Sequence, residues 1–220
     1  MVLLILGASG SAGGGVLQAC LKSPAVTEIR AIARRPLAVA HPTLQVVQHQ
    51  DYEDYSAIGS AFAGVDACLY CLGKSSTQVS GEAEYRRLTH DFALAAARAL
   101  WRGSPDAVFQ FISGKSTRLD SRYMWARVKA ETEHDLLADG HPANCWRPAS
   151  IDGMPSASEP VLFRIARPLM RLLRPFHSLY VRAEDIGIAM LAATRAGIRG
   201  RIFENAAIRA LADGARAPMP

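Results

Sequence analysis

Gly7-Ala8-Ser9-Gly10-Ser11-Ala12-Gly13 decides the reading of this chain, because of what stands on either side of it. Before it runs Val2-Leu3-Leu4-Ile5-Leu6, apolar throughout. After it the apolar spacing turns helical through Val16, Leu17, Cys20 and Leu21. The order is strand, glycine turn, helix. Such a turn exposes backbone N–H groups at a helix N-terminus, where the macrodipole favours anions. Glycines let the backbone turn tightly and approach a pyrophosphate closely. The spacing is GxxGxxG, not the GxGxxG of the standard fingerprint, but the strand–turn–helix context is the required one. Gly7, Ser9, Gly10, Ser11, Ala12 and Gly13 are therefore expected to hold a dinucleotide. The competing reading is a glycine-rich βα turn with no ligand.

Strand and helix patterns alternate along the rest of the chain. Strands are expected at 2–6, 28–33, 44–48, 66–72, 107–113 and 143–147. Helices are expected at 13–22, 53–63, 82–101, 121–138 and 183–195, with a short strand at 201–203 and a last helix at 206–212. Apolar strands alternating with helices predict a parallel sheet covered on both faces. Right-handed crossovers then give an α/β, doubly wound, Rossmann-like sheet of order 3-2-1-4-5-6. Residues 1–220 read as one such domain. The segment 149–180 breaks the alternation and is rich in Pro, Ser and Arg, so it is expected to form a small C-terminal lobe over the strand ends.

Half of the 220 residues are hydrophobic, enough for a sizeable core. The net charge of +5 is moderate. It suits a phosphate-bearing ligand and does not call for nucleic acid. No apolar run approaches a membrane span, and the five-residue N-terminal run reads as a core strand and not a leader. Cys20, Cys68, Cys71 and Cys145 all sit in apolar contexts, which predicts reduced core thiols and a cytoplasmic protein. Cys68 and Cys71 form a CxxC inside a strand, where side chains three apart face opposite sides. Redox or zinc chemistry is not expected there. The six histidines show no metal spacing, so no metal is expected.

The end of the second strand bears on the cofactor. The ribose-binding acid of an NAD site belongs about 20 residues beyond the glycines. That point falls at Ala33, followed by Arg34-Arg35-Pro36, with no Asp or Glu. An arginine pair holds a 2′-phosphate through forked, charge-assisted hydrogen bonds, which points to NADP in preference to NAD. Asp51, past the third strand, is placed to meet the adenine amino group, and also to cap the backbone from Glu53 onward.

These stretches resemble the atypical short-chain dehydrogenase/reductase superfamily. GASGSAG at 7–13, ARRP at 33–36 and Gln50-Asp51 carry the first part of the resemblance. GVDACLYCLG at 64–73, FQFISG at 109–114, WARVKAETE at 125–133 and WRPASIDG at 146–153 continue it, and VRAEDIGIAML at 181–191 and GRIFENAAI at 200–208 complete it. The chain looks most like the NAD(P)H-binding subgroup that includes the Tat-interacting protein and its bacterial relatives, and more loosely the NmrA-like regulators. The resemblance implies that Leu72 and Gly73, which close the fourth-strand match, join the cofactor site. It also implies a tyrosine and lysine in YxxxK spacing on the helix after the fifth strand, with a hydroxyl residue at that strand's end. Ser113 fills the hydroxyl position and Lys129 the lysine position. Trp125 stands where the tyrosine belongs, and indole does not titrate usefully. Tyr123 is the alternative acid, in a shifted YxxxR pair with Arg127. It lies about 200° around from Trp125 if both are helical, and serves only if the helix starts later.

Two function classes follow. One is an NADP(H)-dependent oxidoreductase acting on a small carbonyl or quinone-type acceptor, with Ser113, Tyr123 and Lys129 at the chemistry. The other is a non-catalytic NADP(H)-sensing regulatory or scaffold protein working through a protein partner, which Trp125 favours. A sugar-nucleotide epimerase needs a larger substrate lobe than 149–180 offers. Arg164, Arg167, Arg171 and Arg174 fall on one helical face, as a solvated face or as an anion-binding, membrane-surface or partner face. Membrane insertion is not expected, and the sequence leaves the oligomeric state open.

Overall fold

The computed structural model describes residues 1–154, 172 and 174–216. Arg164, Arg167 and Arg171 of the arginine stripe lie outside the described residues. Seven parallel strands form one sheet: Val2–Leu6 (β1), Glu28–Ala33 (β2), Leu44–Gln48 (β3), Ala67–Tyr70 (β4), Val108–Ile112 (β5), Ala143–Arg147 (β6) and, after a gap in chain order, Arg201–Glu204. Two further strands, Ser150–Asp152 (β7) and Tyr180–Arg182 (β8), pair parallel in a small second sheet, so Arg201–Glu204 is β9. The main order is β3-β2-β1-β4-β5-β6-β9. This is the expected order with the short strand near 201 added as a seventh member beside β6.

Among the described residues the α-helices are Ser11–Lys22 (α1), Glu82–Arg86 (α2), Phe92–Gly103 (α3), Met124–Leu137 (α4), Ala183–Arg195 (α5) and Asn205–Arg216 (α6). The period of two along β1 shows why its five residues are all apolar. Leu3 and Ile5 face α1, α5 and α6, whereas Leu4 and Leu6 face the layer of α3 and α4. A strand buried on both faces cannot carry a polar side. The same alternation separates the two cysteines of the CxxC. Cys68 packs in the second layer and Cys71 against the first, both thiols free. Burial holds both thiols well above the usual thiol range, so they stay protonated.

Strand and helix ends shift by a few residues throughout, and three helices depart further from expectation. The helix expected at 53–63 is a 3₁₀ segment, Ser56–Phe62, with Ile58 at non-helical angles. Asp54 takes the Ser56 amide at 2.8 Å and the Ser56 hydroxyl at 2.9 Å, a local turn that competes with helix initiation. The helix expected at 82–101 is broken by a π turn at Arg87–Asp91. The helix expected from 121 begins at Met124, because Ser121 Oγ accepts the Tyr123 amide at 3.2 Å and holds the preceding turn.

Candidate active site and dinucleotide turn

The glycine turn closes on itself before α1 begins. Gly7 lies at φ +83°, and a Cβ there would stand 2.7 Å from the Cys71 carbonyl. The Gly10 amide donates to the Gly7 carbonyl at 2.9 Å. Gly10 is the N-cap of α1, no side chain caps the helix, and its first turn carries no acidic residue. The first-turn N–H groups of a helix have no intrahelical partner. Ser11, Ala12 and Gly13 thus present an anion-binding helix start that fits a pyrophosphate. The segment after β7 sits on this turn, with the Met154 amide donating to the Ser11 carbonyl at 2.9 Å and Gly153 against Ser11.

Arg34 and Arg35 are exposed just past β2, and among the described residues neither takes part in a salt bridge. Gln50 Nε2 donates to the Arg34 carbonyl at 2.7 Å, which holds the two strand ends together. Asp51 Oδ1 accepts the Glu53 amide at 2.9 Å and the Asp54 amide at 3.4 Å. That realises the capping role, although the backbone it caps is a turn and not a helix. Leu72 and Gly73 follow β4 beside Gly7, Leu72 half-buried and Gly73 exposed.

At the C-terminal end of β5 opens a cavity of about 910 Å³. Ser113, Thr117, Tyr123, Trp125, Ile151 and Leu179 are among the residues that line it. Ser113 is 3 % exposed, with its Oγ 3.2 Å from Thr117 Oγ1. Thr117 already donates to the Gly114 carbonyl at 2.7 Å, so Ser113 is the donor of that pair. Tyr123 is the N-cap of α4, in extended conformation and 54 % exposed. Its place outside the helix removes the azimuthal objection, since Tyr123 and Trp125 share the cavity wall. The Tyr123 hydroxyl accepts from Arg122 Nη2 at 3.4 Å, and the Arg122 guanidinium lies 5.2 Å from its ring. Arg127, the proposed shifted partner, turns away to Glu82 at 2.7 Å and to the Ser121 carbonyl at 2.9 Å. The YxxxR pair therefore does not form.

Lys129 is half-buried behind this wall. Its Nζ donates to the Ser113 carbonyl at 2.7 Å and to the Ile112 carbonyl at 3.3 Å. Burial lowers it to about 8, against an upward pull from Glu133. Sequence reasoning missed the buried Glu133 near the lysine and its half-buried partner Arg147. It also missed Asp152 and Tyr180, which join β7 to β8 through a 2.7 Å hydrogen bond from the Tyr180 hydroxyl. The Lys129–Glu133 spacing of four was a visible signal for the first pair. Nothing periodic marked the second. Among the described residues no three potential ligands gather for a metal, and no helix is long and apolar enough to cross a membrane.

No family model matches the chain. It is 25 % identical over 207 residues to the mitochondrial protein fmp52 of Aspergillus clavatus, covering 89 % of this chain and 86 % of that one. It is 27 % identical over 133 residues to protein HTATIP2 of Rattus norvegicus, covering 60 % of this chain and 54 % of that protein. A short-chain dehydrogenase/reductase-family oxidoreductase from Burkholderia thailandensis superposes with a TM-score of 0.74 at 14 % identity, over 95 % of this chain and 92 % of that chain. The Bordetella bronchiseptica enzyme WbmF, solved in complex with NAD⁺, gives 0.71 at 12 % identity, over 99 % and 80 %. The fold is that of the short-chain dehydrogenases/reductases. Within that fold the chain is similar in sequence to FMP52 and HTATIP2. The expected cytoplasmic compartment is corrected by the fungal relatives, which are named mitochondrial. Reduced buried thiols, on which that expectation rested, do not separate one reducing compartment from another.

Proposed function

We propose that the chain binds NADP(H) along the C-terminal edge of the sheet and reduces a small carbonyl or quinone-type acceptor in the cavity. The observation that carries this reading is the cavity's wall. Ser113, Tyr123 and Trp125 line it, and the amine of Lys129 is anchored to the carbonyl of Ser113. Ligands of doubly wound sheets bind outside the C-terminal strand ends, where this cavity opens.

When bound, a reduced nicotinamide supplies the hydride. The chain supplies the rest. The open N-terminus of α1, from Gly10 through Gly13, takes the pyrophosphate. Arg34 and Arg35 take the 2′-phosphate. Asp51 would meet the adenine amino group, and Leu72 and Gly73 would line the cofactor beyond β4. Lys129 holds the nicotinamide ribose. Ser113 turns its hydroxyl from Thr117 to the acceptor oxygen, and Tyr123 delivers the proton that balances the hydride. Trp125 offers a flat face to a conjugated acceptor, so quinone-type substrates are reduced better than ordinary aldehydes.

The same Trp125 favours a second reading, an NADP(H) sensor that passes its ligand state to a protein partner without turnover. The contact of Gly153 and Met154 with Ser11 gives that reading a physical link from the turn to the neighbouring segment. A crystal structure with NADP⁺ tests the shared part of both. The 2′-phosphate is expected between Arg34 and Arg35, with the nicotinamide over the cavity. A dinucleotide bound away from the glycine turn would refute both.

A further inference from the structure

Lys129 has a carboxylate one helical turn away and does not use it. Glu133 follows it by four residues on α4, a spacing at which lysine and glutamate readily pair. Glu133 is 2 % exposed, and a buried carboxylate needs a cation. Arg147, at the end of β6, fills that need. Its Nε donates to Glu133 Oε1 at 3.0 Å and its Nη2 to Oε2 at 2.6 Å. Its Nη1 reaches Glu204 on β9 at 3.0 Å. The Lys129 amine points the other way, to the carbonyls that end β5, and stands 6.0 Å from the centre of the Phe111 ring.

The other charges of α4 are engaged elsewhere. Arg127 pairs with Glu82, Glu131 with Arg86, and Asp135 with His90, all toward α2 and the π turn. Cys145 on β6 is a further titratable group near Glu133, and burial keeps its thiol protonated; His134, next to Glu133 on α4, is exposed. Glu133 is thus the carboxylate available to Lys129 among the described residues, and Arg147 holds both of its oxygens.

We infer that Arg147 is a positioning residue, which clamps Glu133 and so leaves the amine of Lys129 turned to the end of β5, where the cavity opens. Its weight for function rests on the reading of Lys129 as the cofactor-side cation. Without the Arg147 charge, Glu133 has one cation within a turn. Lys129 then swings onto it, leaves the Ser113 carbonyl and holds its proton more tightly. With Arg147 in place, burial dominates and the lysine titrates near 8.

Competitive acetylation of Lys129 in the free chain, read by peptide mass spectrometry across pH, measures this without any turnover. The wild type is expected to titrate near 8. Arg147→Met is expected to move the midpoint up by about one pH unit or more, the usual effect of an opposite charge within a few ångströms. Glu133→Gln added to Arg147→Met is expected to bring it back, and Arg147→Lys to shift it less than Arg147→Met does. Arg147→Met strands a buried charge and can fail to fold; Arg147→Gln, which loses the charge but keeps an N–H donor for Glu133, then carries the test. A midpoint unmoved in every folded single variant of Arg147, or unrestored in the double variant, overturns the inference. NADPH affinity of Lys129→Ala is a separate measurement. If it equals the wild type, the lysine's cofactor role falls while the Arg147 result stands.

Discussion

A Cβ on Gly13 would stand 2.7 Å from the carbonyl carbon of Gly7, and closer still to its oxygen. The glycine turn is therefore a backbone-on-backbone contact. Gly10 differs, because among the described residues its Cβ would meet the Gly7 oxygen alone, at 3.2 Å. The two positions separate folding from binding. Gly13→Ala is expected to destabilise the chain by about 1–3 kcal/mol, the cost of forcing atoms into a packed site. Gly10→Val is expected to cost less stability than Gly13→Ala and to remove dinucleotide binding. Thermal denaturation and NADPH titration of both variants check this. Retained micromolar binding by Gly10→Val would place the phosphates elsewhere.

On the proposed reading, cofactor choice rests on Arg34 and Arg35. NADPH is expected to bind more tightly than NADH, and Arg34→Glu to weaken NADPH by about tenfold or more, the scale of one lost charge-assisted contact. Calorimetric titration of both cofactors reads the preference. Equal affinities, unmoved by the substitution, would remove the arginine pair from the site.

The lysine gives stability a pH dependence of predictable sign. Burial lowers Lys129 from 10.5 to about 8 in the folded chain. Between those values the unfolded chain holds the proton and the folded chain does not, so stability rises with pH across that window. The cost of burying the charged form is present in full below the folded value and disappears above the unfolded one. Lys129→Met removes it. Urea unfolding of the two proteins is expected to show the variant's advantage near pH 7 shrinking by pH 10. Parallel stability profiles would mean that the amine is solvated.

Inside the sheet, Trp146 Nε1 donates to Gln110 Oε1 at 2.7 Å, and both residues are fully buried. Gln110 Nε2 continues to Thr194 Oγ1 at 3.0 Å. Trp146→Phe leaves the Gln110 oxygen without its donor, at a cost of about 1–3 kcal/mol. Chemical denaturation measures this directly. A change below a few tenths would show that the bond contributes nothing net.

What the sequence made legible was periodic or local. The apolar run of β1, the glycines and the alternation of strands and helices each follow from a spacing rule, and the sheet order follows from handedness. The start of α4 was hidden because Ser121 diverts the Tyr123 amide, a side-chain bond that no helical period announces. The 3₁₀ segment near Ser56 was hidden for the same reason, in the turn at Asp54. Arg147 and Glu133 escaped because their pairing joins a strand end to a helix face. Lys129 was legible as a position, and the amine's direction was not, since it depends on that pair.

Steady-state NADPH oxidation with a matched quinone and aldehyde tests the proposed reductase activity. It is run on wild type, Tyr123→Phe, Trp125→Tyr and Lys129→Ala. The quinone is expected to be reduced and the aldehyde only weakly. Tyr123→Phe is expected to slow quinone reduction, and Lys129→Ala to raise the KM for NADPH. Trp125→Tyr is expected to raise aldehyde turnover, because it places a titrating hydroxyl one turn from Lys129. Tight NADPH binding with no oxidation by any of the four proteins would contradict the reductase and leave the sensor.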